Sequence, residues 1–448
     1  MDPRHDDLRT AIDDLFPAHR AELESLVSIP SVSADGFDPA DVRRCAHTVA
    51  DLFRDAGLDD VELLEVEGAH PAVIGQRLID PSAPTVLLYG HYDVQPPGDL
   101  EQWQSPPFEA VERDGRLYGR GASDDKAGVA VHLAALRAHH AVPPVNIKVF
   151  AEGEEEIGSL HLTEFLALYR DKLAADHIVV TDSSNWRVGQ PAFTTTLRGL
   201  VDCQVEVRTL ETGVHSGIFG GAFPDALMVL SRLLASLHDD DGRPAVAGLV
   251  VGDADPLDLT EADLRSQAGA VDGLELIGDG SLTGRTWARP AISILGIDAP
   301  STDGAINQLV SVARAMVSVR LAPGDDPTAA MDAVTRHLEA NVPWGARLRV
   351  TPGASAAPYE LTTTGAGYDA FRAAFAEAWD RQPLEIGIGG SIPFVAAFAA
   401  AFPESSLMLT ATGDPTSRIH GPNESQDLDD LKKACLAEAI ALRLLGED

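Results

Sequence analysis

The sequence predicts an α/β protein, a mixed and mostly parallel sheet flanked by helices, with a smaller α+β domain inserted into it. Two observations predict this. Short apolar runs at 61–66, 72–78, 85–89, 146–151 and 177–181 read as strands, with helical patterns at 124–140 and 159–173 between the last three. Near Leu197 the pattern changes, and after about residue 355 the first pattern resumes.

Residues 17–27 read as a helix that stops before Ile29-Pro30. Residues 39–56 read as the next, with Asp38 as N-cap, Pro39 in the first turn and Gly57 as the stop. Segment 200–208 alternates apolar and polar residues, as a half-exposed strand does. A helix at 224–238 follows, then a polar, Gly- and Asp-rich stretch at 239–285. Strands at 291–296, 312–321 and 346–351 and an amphipathic helix at 327–340 complete a β-α-β-β-α-β-like set. The α/β pattern returns with a helix at 367–380, a Gly-rich turn at 387–391, a helix at 393–401, a strand at 406–410 and a last helix at 427–444. The expected division is a first catalytic segment at 1–196, an inserted domain at 197–354 and a second catalytic segment at 355–448.

Charge narrows the function. The 448 residues carry 69 acidic and 34 basic side chains, a net of −35. Only five of the basic residues are lysines. A field of that sign repels phosphate, so neither nucleic acid nor an anionic membrane is an expected partner. Cys45, Cys203 and Cys435 are far apart and odd in number, which fits a reducing cytoplasm and no disulfide framework. The N-terminus lacks the order of a signal peptide, and no run of 18 apolar residues occurs.

The chemistry gathers where strands end. Run 85–89 leads into His91 and Asp93, run 146–151 into Glu154-Glu155-Glu156, and run 177–181 into Asp182. Run 406–410 is followed ten residues later by His420, and Asp124-Asp125 opens a helix. Singly, each has an ordinary explanation as a loop histidine, an N-cap or a solvated helix start. Jointly they place imidazoles and carboxylates at one sheet edge, where open α/β sheets carry their functional groups. Clustered carboxylates need a cation, and His with Asp and Glu but no thiolate suits Zn²⁺, Mn²⁺ or Co²⁺. Two histidines and three or more carboxylates suffice for a two-metal hydrolytic site.

The ordered motifs HYDVQP (91–96), GRGASDDKAG (119–128), EGEEEIGS (152–159), VVTDSS (179–184), GVHSGIFGG (213–221), SVRLAPG (318–324), GGSIP (389–393) and HGPNE (420–424) span almost the whole chain. With them the sequence resembles the di-zinc exopeptidases of peptidase family M-twenty, in particular the carnosinase and cytosolic non-specific dipeptidase branch. The resemblance implies a zinc-exopeptidase-like catalytic domain and two divalent metal ions, zinc first and manganese or cobalt as alternatives. His91, Asp124, Asp182, Glu156 and His420 match its metal ligands, with Asp124 bridging. Glu155 matches the general base and acid, and Asp93 the residue that orients His91. The family also implies a cis peptide after the bridging aspartate. Glu154 falls at a variable position and receives no catalytic role.

The inserted domain resembles the family's lid and dimerisation domain, which implies a homodimer. His215 matches the histidine that stabilises the oxyanion in the partner subunit's site. Asn307 and Arg320 match the groups that hold the substrate carboxylate, and Gly390 and Ser391 the loop lining the pocket. Asp at position 182 goes, in the family, with dipeptidases. The implied reaction is hydrolysis of a dipeptide by a metal-activated hydroxide. The alternative on the same site is an N-acyl-amino-acid amidohydrolase. The match departs from the dipeptidase pattern at Ile388, where an acidic residue is common, and near 355–360, where a second histidine is missing.

Overall fold

The computed structural model describes residues 2–390 and 392–447. The chain forms two compact units. The first comprises Met1–Thr195, Leu361–Ile386 and Pro393–Asp448; the second comprises Thr196–Glu360 and Gly387–Ile392.

The sheet of the first unit follows the order Asp59–Leu64, Ala72–Arg77, Asn146–Glu152, Thr85–His91, His177–Val180, Ser406–Leu409 and Ala192–Leu197. Its four central strands, 146–152, 85–91, 177–180 and 406–409, run parallel, and the strands on either side are antiparallel. Helices cover both faces, which is why the central strands read as unbroken apolar runs. On one face Val86, Leu88, Ile147 and Val149 pack under the helices Asp6–Val27, Lys126–Ala138 and Leu428–Leu445. On the other face Tyr89 and Phe150 stack on each other, and Phe150 meets Phe165 and Phe398.

The first helix, Asp6–Val27, starts eleven residues before the reading from Pro17. Leu8, Ile12, Leu23 and Leu26 continue one buried stripe across Pro17. That packing outweighs the ~3 kcal/mol that an interior proline costs. The buried Lys126 closes the far end of this helix, its Nζ donating to Leu26 O at 2.9 Å and Ile29 O at 2.8 Å.

A buried ion pair ties the helix Lys126–Ala138 to the last helix. His132 Nδ1 lies 2.8 Å from Glu438 Oε1, and Nε2 lies 2.9 Å from Tyr89 O. With an acceptor at each nitrogen the ring is held as an imidazolium. Burial opposes the charge, but Glu438 and the Tyr89 carbonyl outweigh it and raise the pKa above the ordinary histidine value. A raised folded pKa means stability that is full below the unfolded value and lost as pH climbs through the folded one. The pair's contribution is therefore expected to be full below about pH 6.5, the ordinary histidine value, and to be lost as pH rises through the higher folded value. Thermal stability should then fall with rising pH more steeply in the parent than in His132→Gln. Equal slopes by calorimetry would refute the pair's contribution.

The second unit is the β-α-β-β-α-β set. Strands Ala291–Asp298, Val312–Leu321, Gly199–Arg208 and Arg347–Ala356 lie side by side in that order, all antiparallel. Helices Ala226–Ala235 and Pro327–Asn341 bury Val229, Leu233, Val334 and Leu338 against Val205, Val207, Val317 and Val319. The stretch 239–285 contains a helix, Glu261–Ala268, that hydrophobic periodicity does not reveal. None of its residues is buried, and a capping box between Thr260 and Asp263 starts it.

Candidate metal centre

The parallel strands end together and set the site. Thr85–His91 delivers His91 as its last residue, fully buried. The adjacent strand Asn146–Glu152 runs into the short turn Glu155–Ile157. Asp182 lies two residues past Val180. Asp124 precedes the helix that starts at Lys126, and the Asp124-Asp125 peptide is cis. His420, in the left-handed region at φ 64°, sits on a loop after the strand Ser406–Leu409.

Asp124 is the centre of this arrangement. Its Oδ1 lies 3.0 Å from His91 Nε2 and its Oδ2 lies 2.9 Å from His420 Nε2. One carboxylate thus faces both histidines, one oxygen each. His420 Nε2 also lies 3.1 Å from Glu156 Oε2. Donor atoms of His91, Asp124 and Asp182 lie within 4.8 Å of one another, and so do those of Asp124, Glu156 and His420. The two triads share Asp124.

Asp93 organises the neighbourhood. His91 Nδ1 is 3.1 Å from Asp93 O and 3.3 Å from its Oδ1, so Nδ1 is the donor and Nε2 is turned toward Asp124. The same carboxylate accepts from Glu155 N at 3.3 Å, Glu156 N at 3.1 Å and Ser33 Oγ at 2.6 Å. It therefore fixes the backbone of two further site residues. Glycine is required at two positions because a side chain would collide. A Cβ on Gly128 would stand 2.2 Å from Thr181 Oγ1, and one on Gly90 would stand 2.9 Å from Asp125 Oδ2.

The electrostatics call for cations. Burial and the charge of Asp124 push Asp182 up to about 7. Burial and Asp182 drive Glu155 well above the usual carboxylate range. His420 is raised to about 10 by its contacts with Asp124 and Glu156. Four carboxylates and two imidazoles share one region, and added cations favour their ionised, ligating forms. The donors are nitrogen and oxygen only. This set fits two divalent ions, one within each triad.

Residues outside the triads were less visible in the sequence. Gln95 holds Glu156 by three bonds: its N reaches Oε1 at 3.1 Å, and its Nε2 reaches Oε2 at 2.8 Å and the main-chain oxygen at 3.0 Å. Arg120 and Glu424 form a buried pair beside Asp124. All three stand inside recognised motifs, but only contacts show what they do. Glu154 is buried, accepting from His70 N at 2.8 Å and pairing with His161 Nδ1 at 2.9 Å.

The remaining expected residues lie in the second unit. Val214-His215 pairs with Gln308-Leu309, and Ser216 N donates to Asn307 O at 3.0 Å, which sets His215 beside Asn307. His215 is exposed and its Nδ1 accepts from Gly217 N at 3.0 Å. Arg320 lies on the strand Val312–Leu321, across from Leu200 and Ala291. Arg198 Nε donates to Gly389 O at 3.2 Å, next to Gly390. Burial and the charge of Arg320 lower the Arg198 pKa to about 10. Ser391 lies outside the described residues.

Comparison with known proteins decides the lineage. Residues 87–442 match the profile of peptidase family M20/M25/M40. The chain belongs to that family. Within it, the similarity runs to metal-dependent dipeptidases. A cysteinylglycine-S-conjugate dipeptidase from Corynebacterium striatum is 34% identical over 435 residues, 95% of each chain. A Beta-Ala-His dipeptidase from Rattus norvegicus is 28% identical, over 95% of this chain and 93% of its own length. Among solved structures, the di-peptidase Dug1p from Saccharomyces cerevisiae superposes with a TM-score of 0.83 at 25% identity, over 99% of this chain and 98% of that one. Human carnosine dipeptidase 1 gives 0.83 at 26%, over 99% of both. Among its described residues the chain has no helix long and apolar enough to cross a membrane.

Proposed function

We propose that the chain is a metal-dependent dipeptidase. The observation that carries this reading is the Asp124 carboxylate, shared between the His91 and His420 triads in a chain whose similar proteins are dipeptidases. His91, Asp124 and Asp182 hold one divalent ion; Asp124, Glu156 and His420 hold the other; zinc suits these ligands, and manganese or cobalt is the alternative. When bound, two such ions supply a nucleophile at neutral pH and polarise the scissile carbonyl. The chain's own groups do the rest. Glu155 takes the proton of the attacking water and returns it to the leaving amine. Its raised pKa and its place outside both triads support that role.

The inserted unit acts as lid and dimerisation domain, and the enzyme is a homodimer. The edge strand Ala291–Asp298 supports this, since it exposes Ile294, Leu295 and Ile297 on the open side of its sheet. His215 of the partner subunit donates to the oxyanion. Because Nδ1 already accepts from Gly217 N, the proton of the neutral ring resides on Nε2, where a donor is needed. Arg320 and Asn307 bind the substrate carboxylate, and the Gly390-Ser391 turn lines the pocket. The acidic surface and three free, buried cysteines suit a cytoplasmic enzyme with no nucleic-acid or membrane partner.

The deciding experiment is a hydrolysis screen of metal-loaded protein against Xaa-Xaa dipeptides, β-Ala-His, and N-acetyl and N-succinyl amino acids. Turnover confined to the acylated amino acids would replace the dipeptidase by the amidohydrolase reading. The shared site has its own test. His215→Ala and Glu155→Gln proteins should each be nearly inactive, yet re-dimerised mixtures should regain about a quarter of parental activity, because half the dimers are mixed and each mixed dimer rebuilds one intact site. No recovery in a demonstrated heterodimer would place His215 outside the partner's site.

A further inference from the structure

Accepting the two-ion reading above, we infer that Arg120, with its partner Glu424, is the positioning residue of the second metal site. Arg120 is 1% exposed and Glu424 is fully buried. Neither belongs to a triad. Yet their contacts reach the backbone around all three second-site ligands and few others.

Glu424 Oε1 accepts from the backbone N–H groups of Gly121, Ser123 and Asp124 at 3.1, 3.0 and 3.1 Å. It thereby shapes the loop that presents Asp124. Glu424 Oε2 pairs with Arg120 Nη1 at 2.5 Å. Arg120 Nη2 donates to His420 O at 3.1 Å and to Pro96 O at 3.2 Å. The first contact fixes the backbone of the His420 ligand. The second fixes the residue after Gln95, whose side chain and N–H hold Glu156. One guanidinium therefore joins three chain segments, each carrying or gripping one ligand of the Asp124–Glu156–His420 triad.

Two small features brace the same point. A three-stranded sheet of Val111–Arg113, Arg116–Tyr118 and Ser425–Asp427 aligns the start of the Asp124 loop with the end of the His420 loop. Asn423, at φ 62°, clips that second loop to Gln102 O and Gln104 N, each at 2.8 Å. By contrast His91 is oriented by Asp93, and neither Arg120 nor Glu424 bonds to His91, Asp93 or Asp182 among the described contacts. The two devices overlap at one ligand each, since Glu424 also holds the shared Asp124 and Asp93 also accepts from Glu156 N, but Arg120 itself reaches only the His420 and Glu156 side.

Metal-stripped protein titrated with Zn²⁺ in a calorimeter tests this without reference to turnover. The parent should bind two ions. Arg120→Met should keep one ion near parental affinity and hold the other about 10–100-fold more weakly, the usual effect of losing an outer-shell partner. Glu424→Gln, which also slackens the shared Asp124, should weaken both ions, the second more than the first. Arg120→Lys, whose compact ammonium lacks the guanidinium's spread of donors over separated oxygens, should show the selectivity of Arg120→Met to a smaller degree. In a His420→Ala background, where the second site is already lost, Arg120→Met should leave the remaining ion unaffected. A parent that binds fewer than two ions would sink the two-ion reading itself. A two-ion parent whose folded variants bind both ions normally, or lose both alike, would overturn the positioning role alone. If Arg120→Met leaves an uncompensated buried Glu424 and does not fold, Arg120→Lys, which retains the charge, decides the question.

Discussion

Glu155→Gln should lower kcat about 10²–10⁴-fold while leaving KM for a dipeptide within a few-fold. The substitution is isosteric and removes only the capacity to carry a proton. Glu155 belongs to neither ligand triad, so both ions should remain bound in the variant. Its backbone is set by the Asp93 carboxylate, whose contact with Glu155 N does not depend on the side chain, so the turn should persist. Burial and the facing Asp182 hold its pKa well above that of an ordinary carboxylate, which suits a group that must both take and give a proton. The check is steady-state kinetics on protein of measured metal content. Turnover within a few-fold of the parent, with two ions bound, would show that another group moves the proton.

The fold was readable where periodicity and burial agree. The strands Thr85–His91, Asn146–Glu152 and His177–Val180 are buried on both faces, so they stand out as short apolar runs whose ends point to the site residues. The same signal marks the strands and helices of the β-α-β-β-α-β set, while the second compact unit also takes in Gly387–Ile392, which lies within the expected second catalytic segment. What escaped the reading had no such signal. The helix Glu261–Ala268 buries nothing, and the strand Ala192–Leu197 carries three threonines in a row. The helix Asp6–Val27 begins eleven residues before the expected start at 17, because long-range packing carries it through Pro17. The site divides similarly. His91 and Asp182 are visible from residue type and placement at strand ends, and Asp124 from its place at a helix start; the choice of Glu156 from its acidic run rests on the family resemblance. Arg120 and Glu424 are about 300 residues apart, and only the folded chain brings them together. An arginine or glutamate inside a motif looks like any other charged residue until its buried partner is known.

Asp124→Ala should abolish tight binding of both ions, where His420→Ala should cost only one. The difference follows from which oxygens face which nitrogens. Asp124 gives Oδ1 to the His91 side and Oδ2 to the His420 side, so its loss reduces each triad to a pair: His91 with Asp182, and Glu156 with His420. His420→Ala leaves the triad of His91, Asp124 and Asp182 complete. Two protein ligands are too few for a catalytic zinc site, which ordinarily keeps three. The parent's activity should fall at least about 10³-fold in Asp124→Ala, since the loss of two ions removes several kcal/mol of transition-state stabilisation. There is a second, separable consequence in the metal-free protein. Contact with Asp124 and Glu156 is what raises the His420 pKa to about 10. With Asp124 gone, part of that shift should vanish, so the imidazole should titrate at lower pH by NMR. Retention of two tightly bound ions in Asp124→Ala would show that the triads do not share this carboxylate. The shared-ligand reading of the site would then give way to two independent ones.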